Sequence, residues 1–116
     1  MTSSQAVIPL TQIIISQQMV HTIKNRNSDA NIISIVENDG SFPLNRMDRM
    51  MEADFDTLLA SEPVQLRIKK SPEGKPQGKR INGTMVALYI IANGRHRIAR
   101  AIIEGRDMIP VEILTS

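Results

Sequence analysis

The most constraining feature of this sequence is an apolar segment that runs into a glycine and then directly into an amphipathic segment. Met85 to Ala92 is continuously apolar, which favours a strand covered on both faces. Asn93-Gly94 breaks that strand, and Arg95 to Glu104 has the periodicity of a helix, which Gly105 ends. Ile109 to Leu114 then supplies a closing strand. This order predicts a small α+β domain, with a mixed sheet and packed helices.

The other strands are predicted from shorter patterns. Val64 to Ile68 alternates apolar and polar residues, as a half-buried strand does. Lys70 to Gly83 is rich in turn residues and, with Lys69, predicts a long basic hairpin loop over residues 69–83. Ala6 to Ile15 is rich in β-branched residues and is predicted to start with a strand, which Pro9 places near an edge. Residues 1–5 are expected to fray.

Two further helices are predicted in the first half. Ser28-Asp29 can cap a short helix from Ala30 to about Asn38, closed by Asp39-Gly40. A second helix fits Arg46 to Ala60, capped by Asn45, because its apolar residues recur at intervals of three and four. That apolar stripe consists of Met47, Met50, Met51, Phe55, Leu58 and Leu59. We interpret its methionines as core residues.

The length and composition of the chain exclude several classes of protein and of chemistry. The chain has 116 residues, enough for one domain, and no Cys, which excludes disulfides, thiolate zinc sites and cysteine chemistry. Met85 to Ala92 is too short to cross a bilayer, and the N-terminus lacks a signal-peptide pattern. We therefore expect a soluble intracellular protein with no membrane partner, in the cytoplasm or associated with a nucleoid or nucleus. Aromatic residues make up 3%, which argues against base-stacking RNA recognition.

Charge is distributed unevenly along the chain. Arg67 to Arg106 holds ten Lys or Arg against Glu73 and Glu104, while the remainder carries four basic and ten acidic residues. A basic face of this kind can bind phosphate on a nucleotide or on DNA.

The Asn93-Gly94 turn is the strongest candidate for a site. A helix that opens after a strand and a glycine presents backbone N–H groups and a positive dipole end, which suits an anion. Arg95, His96 and Arg97 lie in the first turn, although cations there cost stability. On a helical wheel Arg100 shares the exposed arc with His96, Arg97 and Glu104, so we expect it at the rim.

Two alternatives remain open from the residues alone. The basic loop could bind DNA without sequence preference, through Lys69, Lys70, Lys75, Lys79 and Arg80. A nuclease or phosphotransferase would need carboxylates to hold magnesium, for which the candidates are Glu37, Asp39, Asp48 and Glu52. Their spacing is also that of a solvated helix face, so no catalytic residue is assigned.

The stretch from Pro63 to Val111 resembles the N-terminal domain of the ParB family, in the ParB and sulfiredoxin fold superfamily. The matching pieces are two strands, the helix start Asn93-Gly94-x-His96-Arg97, then Gly105 and Ile109-Pro110-Val111. The resemblance implies a nucleotide pocket centred on Gly94, His96 and Arg97, with CTP or ATP as ligand, an association with DNA transactions, and a homodimer.

The residue at position 95 departs from the family pattern, which limits the activities that the resemblance implies. Sulfiredoxins carry their Cys where Arg95 stands, so that activity is excluded. ParB proteins usually have an acidic residue there that helps to place a magnesium-bound triphosphate, and Arg95 reverses its charge. Nucleotide hydrolysis with magnesium is therefore not assigned, and we expect a ParB-like module that binds nucleotide or phosphate.

Overall fold

The chain forms eight strands and four α-helices within residues 2–37 and 47–115, the residues that this computed structural model describes. The strands are β1 (Thr2–Pro9), β2 (Ile14–Ser16), β3 (Ile35–Glu37), β4 (Val64–Ile68), β5 (Gly78–Ile81), β6 (Thr84–Ala87), β7 (Tyr89–Asn93) and β8 (Met108–Thr115). The helices are α1 (Gln17–Arg26), α2 (Met47–Glu52), α3 (Phe55–Ser61) and α4 (Arg95–Ile103). A short 3₁₀ turn, Leu10–Gln12, separates β1 from β2.

The largest sheet is a mixed four-stranded sheet with the strand order β1-β8-β4-β7. The central strands β4 and β8 run parallel, and the outer strands β1 and β7 run antiparallel to their neighbours. A parallel pair, β2 and β3, adjoins β7 through one bridge between Ile13 and Tyr89. The strands β5 and β6 form a separate hairpin. The predicted α+β class with a mixed sheet and packed helices is confirmed.

The hydrophobic core joins this sheet to α4 and also includes buried residues of α1, α2 and α3. The apolar face of α4 is buried as its periodicity predicts, with Ile98, Ala99, Ala101 and Ile102 at most 2% exposed. They pack against buried residues of β4 and β8, among them Leu66 and Ile109. Gly105 ends the helix with a positive φ of 77°, also as predicted. No helix in the described part of the chain has the length and apolar character needed to cross a membrane.

Residues 2–5 do not fray as expected. β1 begins at Thr2 and stays in register with β8 from the Thr2–Thr115 pair to the Pro9–Met108 pair. The prediction was wrong because a neighbouring strand supplies backbone hydrogen bonds that the local sequence does not reveal. The strand predicted from Ala6 ends at Pro9, and β1 lies at the sheet edge, where proline is tolerated.

The helix predicted from Ala30 to Asn38 is wrong. Residues 35–37 instead form β3, and the preceding Ser34 donates its hydroxyl to the Leu10 carbonyl at 2.8 Å. The helix in this region is α1, capped by the Ser16 hydroxyl, which accepts a hydrogen bond from the Met19 N–H at 3.2 Å. A serine cap followed by buried residues four apart, Met19 and Ile23, was the sequence signal for it. Asn38, Asp39-Gly40 and the expected cap Asn45 lie outside the described residues.

The single helix predicted from Arg46 to Ala60 is two helices. α2 ends at Glu52, and Asp54 starts α3 by accepting the Thr57 N–H at 3.4 Å. The aspartate competes with helix continuation because its side chain bonds to the nearby backbone. Of the predicted apolar stripe, Met47, Phe55 and Leu59 are buried.

The apolar run from Met85 to Ala92 is not one covered strand. It divides at Leu88 between β6 and β7, and Met85 is 59% and Ile90 40% exposed. The expected loop over residues 69–83 contains β5, which pairs with β6 across a turn at Asn82-Gly83. Both turn residues have positive φ, 51° and 82°, as the hairpin turn preferred by Asn-Gly requires.

Arg100 joins α4 to the break between α2 and α3. The sequence placed it on an exposed arc, but it is only 9% exposed. Its guanidinium donates to the carbonyls of Met50 at 2.5 Å and Ala53 at 2.7 Å, and to the Glu104 carboxylate at 2.8 Å. It also lies 4.6 Å from the centre of the Phe55 ring. The prediction failed because most of these partners lie on other elements, which a helical wheel does not include.

We predict that Arg100→Ala lowers the free energy of unfolding by about 2–4 kcal/mol, because two carbonyls and a carboxylate lose their buried donor. Urea denaturation monitored by circular dichroism measures the loss. Arg49→Ala, at an exposed position of α2, is the matched control and changes stability by less than about 0.5 kcal/mol. Equal losses in the two variants would contradict the role of Arg100.

Candidate functional site

The candidate site is built on a left-handed turn at Gly94, between β7 and α4. Gly94 has φ 104° and ψ 29°, a conformation that residues with a Cβ rarely adopt. A Cβ at this position would lie 3.1 Å from Val64 Cγ2 and 3.3 Å from Arg97 Cζ. Glycine is therefore required both by the backbone angle and by the close approach of β4.

The first turn of α4 differs in chemistry from the starts of α1 and α3. Those helices are capped by side-chain oxygens of Ser16 and Asp54. Gly94 has no side chain to offer, and no acidic residue lies in the first turn of α4. The positive end of the helix dipole therefore meets basic side chains instead of a carboxylate of its own turn.

A pocket of about 310 Å³ opens at this turn. Its walls are Ala92, Asn93, Gly94, Arg95, His96 and Arg97, together with Met50 from α2. The structure thus brings together five of the residues that the sequence proposed for phosphate binding. Arg100 is not part of this wall, because its guanidinium is directed to the carbonyls between α2 and α3.

Arg97 is held in place by the end of α3. Its guanidinium donates a hydrogen bond to the backbone carbonyl of Glu62 and lies over Gly94. Burial lowers the pKa of the Arg97 guanidinium from its usual value, and the charge of Glu62 opposes that change. An arginine remains charged near neutral pH, so Arg97 is a positioned cation on the pocket wall.

A second pocket, of about 190 Å³, adjoins the first at Arg95. Arg95 lines both pockets. The remaining walls of the second pocket are Ile14, Ile15, Ser16, Met19, Glu37, Ile90 and Ile91. A compartment lined by both apolar and polar side chains, with one carboxylate, therefore shares Arg95 with the pocket at Gly94.

The carboxylates proposed as magnesium ligands do not form a cluster. Glu37 forms an ion pair with Lys69, and Asp48 forms one with Arg26. Across residues 2–37 and 47–115, no three His, Asp or Glu side chains are grouped so that they could hold a metal ion. Asp39 lies outside those residues.

The basic loop residues do not all point to one face of the hairpin. Lys69 bonds to Glu37, and Lys70 forms a backbone bridge with Pro76. The side chains of four of these residues are exposed: Lys70, Lys75, Lys79 and Arg80. Lys79 and Arg80 are consecutive in β5, and consecutive strand residues point to opposite faces. The hairpin therefore does not gather these charges on one side.

Sequence reasoning missed the contributions from α2, α3 and β2 to the site. Met50 and the Glu62 carbonyl both lie at the Gly94 turn, although they precede it by roughly 30 to 45 residues in the chain. No local sequence pattern predicts a contact over that separation. Ala92 could have been found, since it belongs to the same strand end as Asn93. The second pocket depends on β2, and only the folded chain brings β2 close to β7, through the bridge from the preceding residue Ile13 to Tyr89.

We predict that Gly94→Ala lowers the free energy of unfolding by about 2–3 kcal/mol, since it adds crowding against Val64 to the strain of a positive φ. Gly105→Ala is the matched control, because Gly105 has φ 77° but open space where the methyl group would lie. That variant should lose only about 1 kcal/mol. Chemical denaturation of both variants measures the difference, and equal losses would show that the contact with β4 is unimportant.

Comparison with known proteins identifies no relative: no family model matches this chain, and neither a curated protein nor a solved structure does.

Proposed function

We propose that this chain is a ParB-like module that binds a nucleotide or a related phosphate ester at the Gly94 turn. The observation that carries the proposal is the convergence of Arg95, His96 and Arg97 on one pocket at the glycine-started N-terminus of α4. Backbone N–H groups at a helix start and planar guanidinium groups are both suited to phosphate oxygens.

The stability cost of this arrangement supports a ligand. A cation near the positive end of a helix dipole is unfavourable by about 0.3–1 kcal/mol. The first turn of α4 places Arg95 and Arg97 there, with His96 between them. A bound anion would turn these unfavourable interactions into favourable ones. Residues that break a local stability rule in this way are typical of binding sites.

The adjoining pocket favours a nucleoside phosphate over a free anion. Its isoleucine side chains can cover one face of a base, and the Glu37 carboxylate can accept a hydrogen bond from a base amino group. Arg95 lies between the two compartments and can contact a phosphate near the sugar. CTP and ATP both carry an exocyclic amino group, so both remain candidate ligands.

Magnesium does not fit the described residues of this site as a protein-held ion. Arg95 is a cation on the pocket wall, and Glu37 is the only carboxylate among the described residues that line the two pockets. Hard divalent cations prefer several oxygen ligands. The proposed function is therefore binding, and a nuclease or phosphotransferase reaction is not assigned.

A second candidate function is DNA binding by the hairpin. It is favoured by the exposure of Lys75, Lys79 and Arg80, because exposed cations are the side chains that contact a phosphate backbone. Lys79 and Arg80 lie on opposite faces of β5, which limits how many of these charges can meet one duplex. We therefore place this function second.

We predict that CTP or ATP at millimolar concentration raises the melting temperature, and that Arg95→Ala weakens the affinity by about tenfold to a hundredfold because a charged hydrogen bond to phosphate is lost. Thermal shift and isothermal titration calorimetry measure the two quantities, with chelator and with magnesium. Pyrophosphate should bind more weakly than the triphosphates, because it leaves the second pocket empty.

Lys79→Ala is the matched control, since it removes one exposed positive charge at a residue that lines neither pocket. It should leave nucleotide affinity unchanged within about twofold. The absence of a shift with any nucleotide or with pyrophosphate would refute the proposal. The salt dependence of duplex DNA affinity distinguishes the second candidate function. If it is smaller in Lys79→Ala but unchanged in Arg95→Ala, DNA binding by the hairpin is favoured instead.

A further inference from the structure

β1 presents a long strand edge with no neighbour on its outer side among the described residues. It is the first strand in the sheet order β1-β8-β4-β7, and it pairs with β8 alone. Its eight residues have the sequence TSSQAVIP, and residues 3–5 and Val7 are exposed. An edge of this kind can accept another strand through its backbone.

The direction of the β1 backbone groups follows from one hydrogen bond. The Leu10 N–H donates to the Asp107 carbonyl at 2.8 Å, so residue 10 faces β8. Alternate residues of an antiparallel strand face the same neighbour, and the register of β1 with β8 is continuous. Ser4, Ala6 and Ile8 therefore bond to β8, whereas the backbone groups of Ser3, Gln5 and Val7 point outward.

The edge lacks the features that normally prevent strand addition. β1 contains no charged residue and no bulge, and its proline, Pro9, stands at the very end. Val7 is a large apolar residue that is 59% exposed. Natural edge strands are usually protected by lysine, proline or bulges, so this edge is suited to pairing.

We propose that two copies of this chain associate by antiparallel pairing of their β1 strands, with Gln5 on the two-fold axis. In this register Ser3 faces Val7 of the second copy, and Gln5 faces its own equivalent. Every outward N–H of one strand then meets an outward carbonyl of the other, because residues 3, 5 and 7 are symmetric about Gln5. An uncharged strand suits self-pairing, since no like charges become opposed.

An apolar groove of about 620 Å³ lies next to β1. It is lined by Gln5, Ala6 and Val7 of β1, by Pro110 and Val111 of β8, and by Asp56, Leu59, Ala60 and Pro63 in and after α3. The pairing is closed, because each copy uses its single β1 edge. The resulting sheet would continue across the dimer without involving the Gly94 pocket, so dimerisation needs no nucleotide.

Cysteine cross-linking tests the register, because the natural chain has no Cys. In Gln5→Cys the two Cα atoms would be about 5.5 Å apart across the axis, within the range that a disulfide spans. Val7→Cys is the matched control on the same edge, and its two copies would be more than about 13 Å apart. We expect Gln5→Cys to form a covalent dimer at least tenfold faster under mild oxidation. Equal rates, or a faster rate for Val7→Cys, would overturn the proposed register.

Sedimentation equilibrium of the natural chain tests the association itself, over a protein concentration range of about 10–500 μM. The average mass should rise towards that of a dimer. Val7→Pro should shift the dissociation constant upwards by at least tenfold, because it removes an outward N–H at a position where an edge strand tolerates proline. A circular dichroism melt checks that this variant is folded. The proposal would be overturned if the natural chain stays monomeric over this whole concentration range. It would also be overturned if folded Val7→Pro has the same dissociation constant as the natural chain.

Discussion

The contact between Gly94 and Val64 is the constraint on which the rest of the structure depends. Because Gly94 carries no Cβ, β7 can stay beside β4 while the chain turns into α4 with a positive φ. That turn directs the apolar face of α4 onto the sheet, where Ile98 and Ile102 are buried. It also leaves the start of α4 open at the surface. One residue without a side chain therefore sets both the packing of the core and the position of the pocket.

Arginine side chains have different roles near the two ends of α4. Near the C-terminal end, Arg100 and Arg106 lie over the Phe55 ring at 4.6 and 4.7 Å from its centre and share Glu104 as a partner. Cations there are favoured by the helix dipole and hold neighbouring elements together. At the N-terminal end the dipole disfavours cations, yet Arg95 and Arg97 are present. The same residue type thus contributes to stability at one end and is suited to binding at the other.

The Gly94 pocket and the outer edge of β1 lie at opposite ends of the four-stranded sheet. The pocket lies where β7 leads into α4, and β1 is at the other end of the strand order. Pairing through β1 would place one pocket on each outer part of a continuous sheet, so that both remain accessible.

The sequence by itself determined the elements whose signals lie in consecutive residues: the half-buried β4, the helix α4 with its glycine at each end, and the residues that meet at the Gly94 turn. Periodicity and glycine conformation act over a few residues, so they can be read locally. Only the tertiary structure decided that Arg100 is buried, that residues 35–37 form a strand, and that β1 pairs from Thr2 onward. Each of these depends on hydrogen-bond partners distant in sequence, such as Met50 for Arg100 and β8 for β1. The folded chain supplies those partners, and no local pattern encodes their approach.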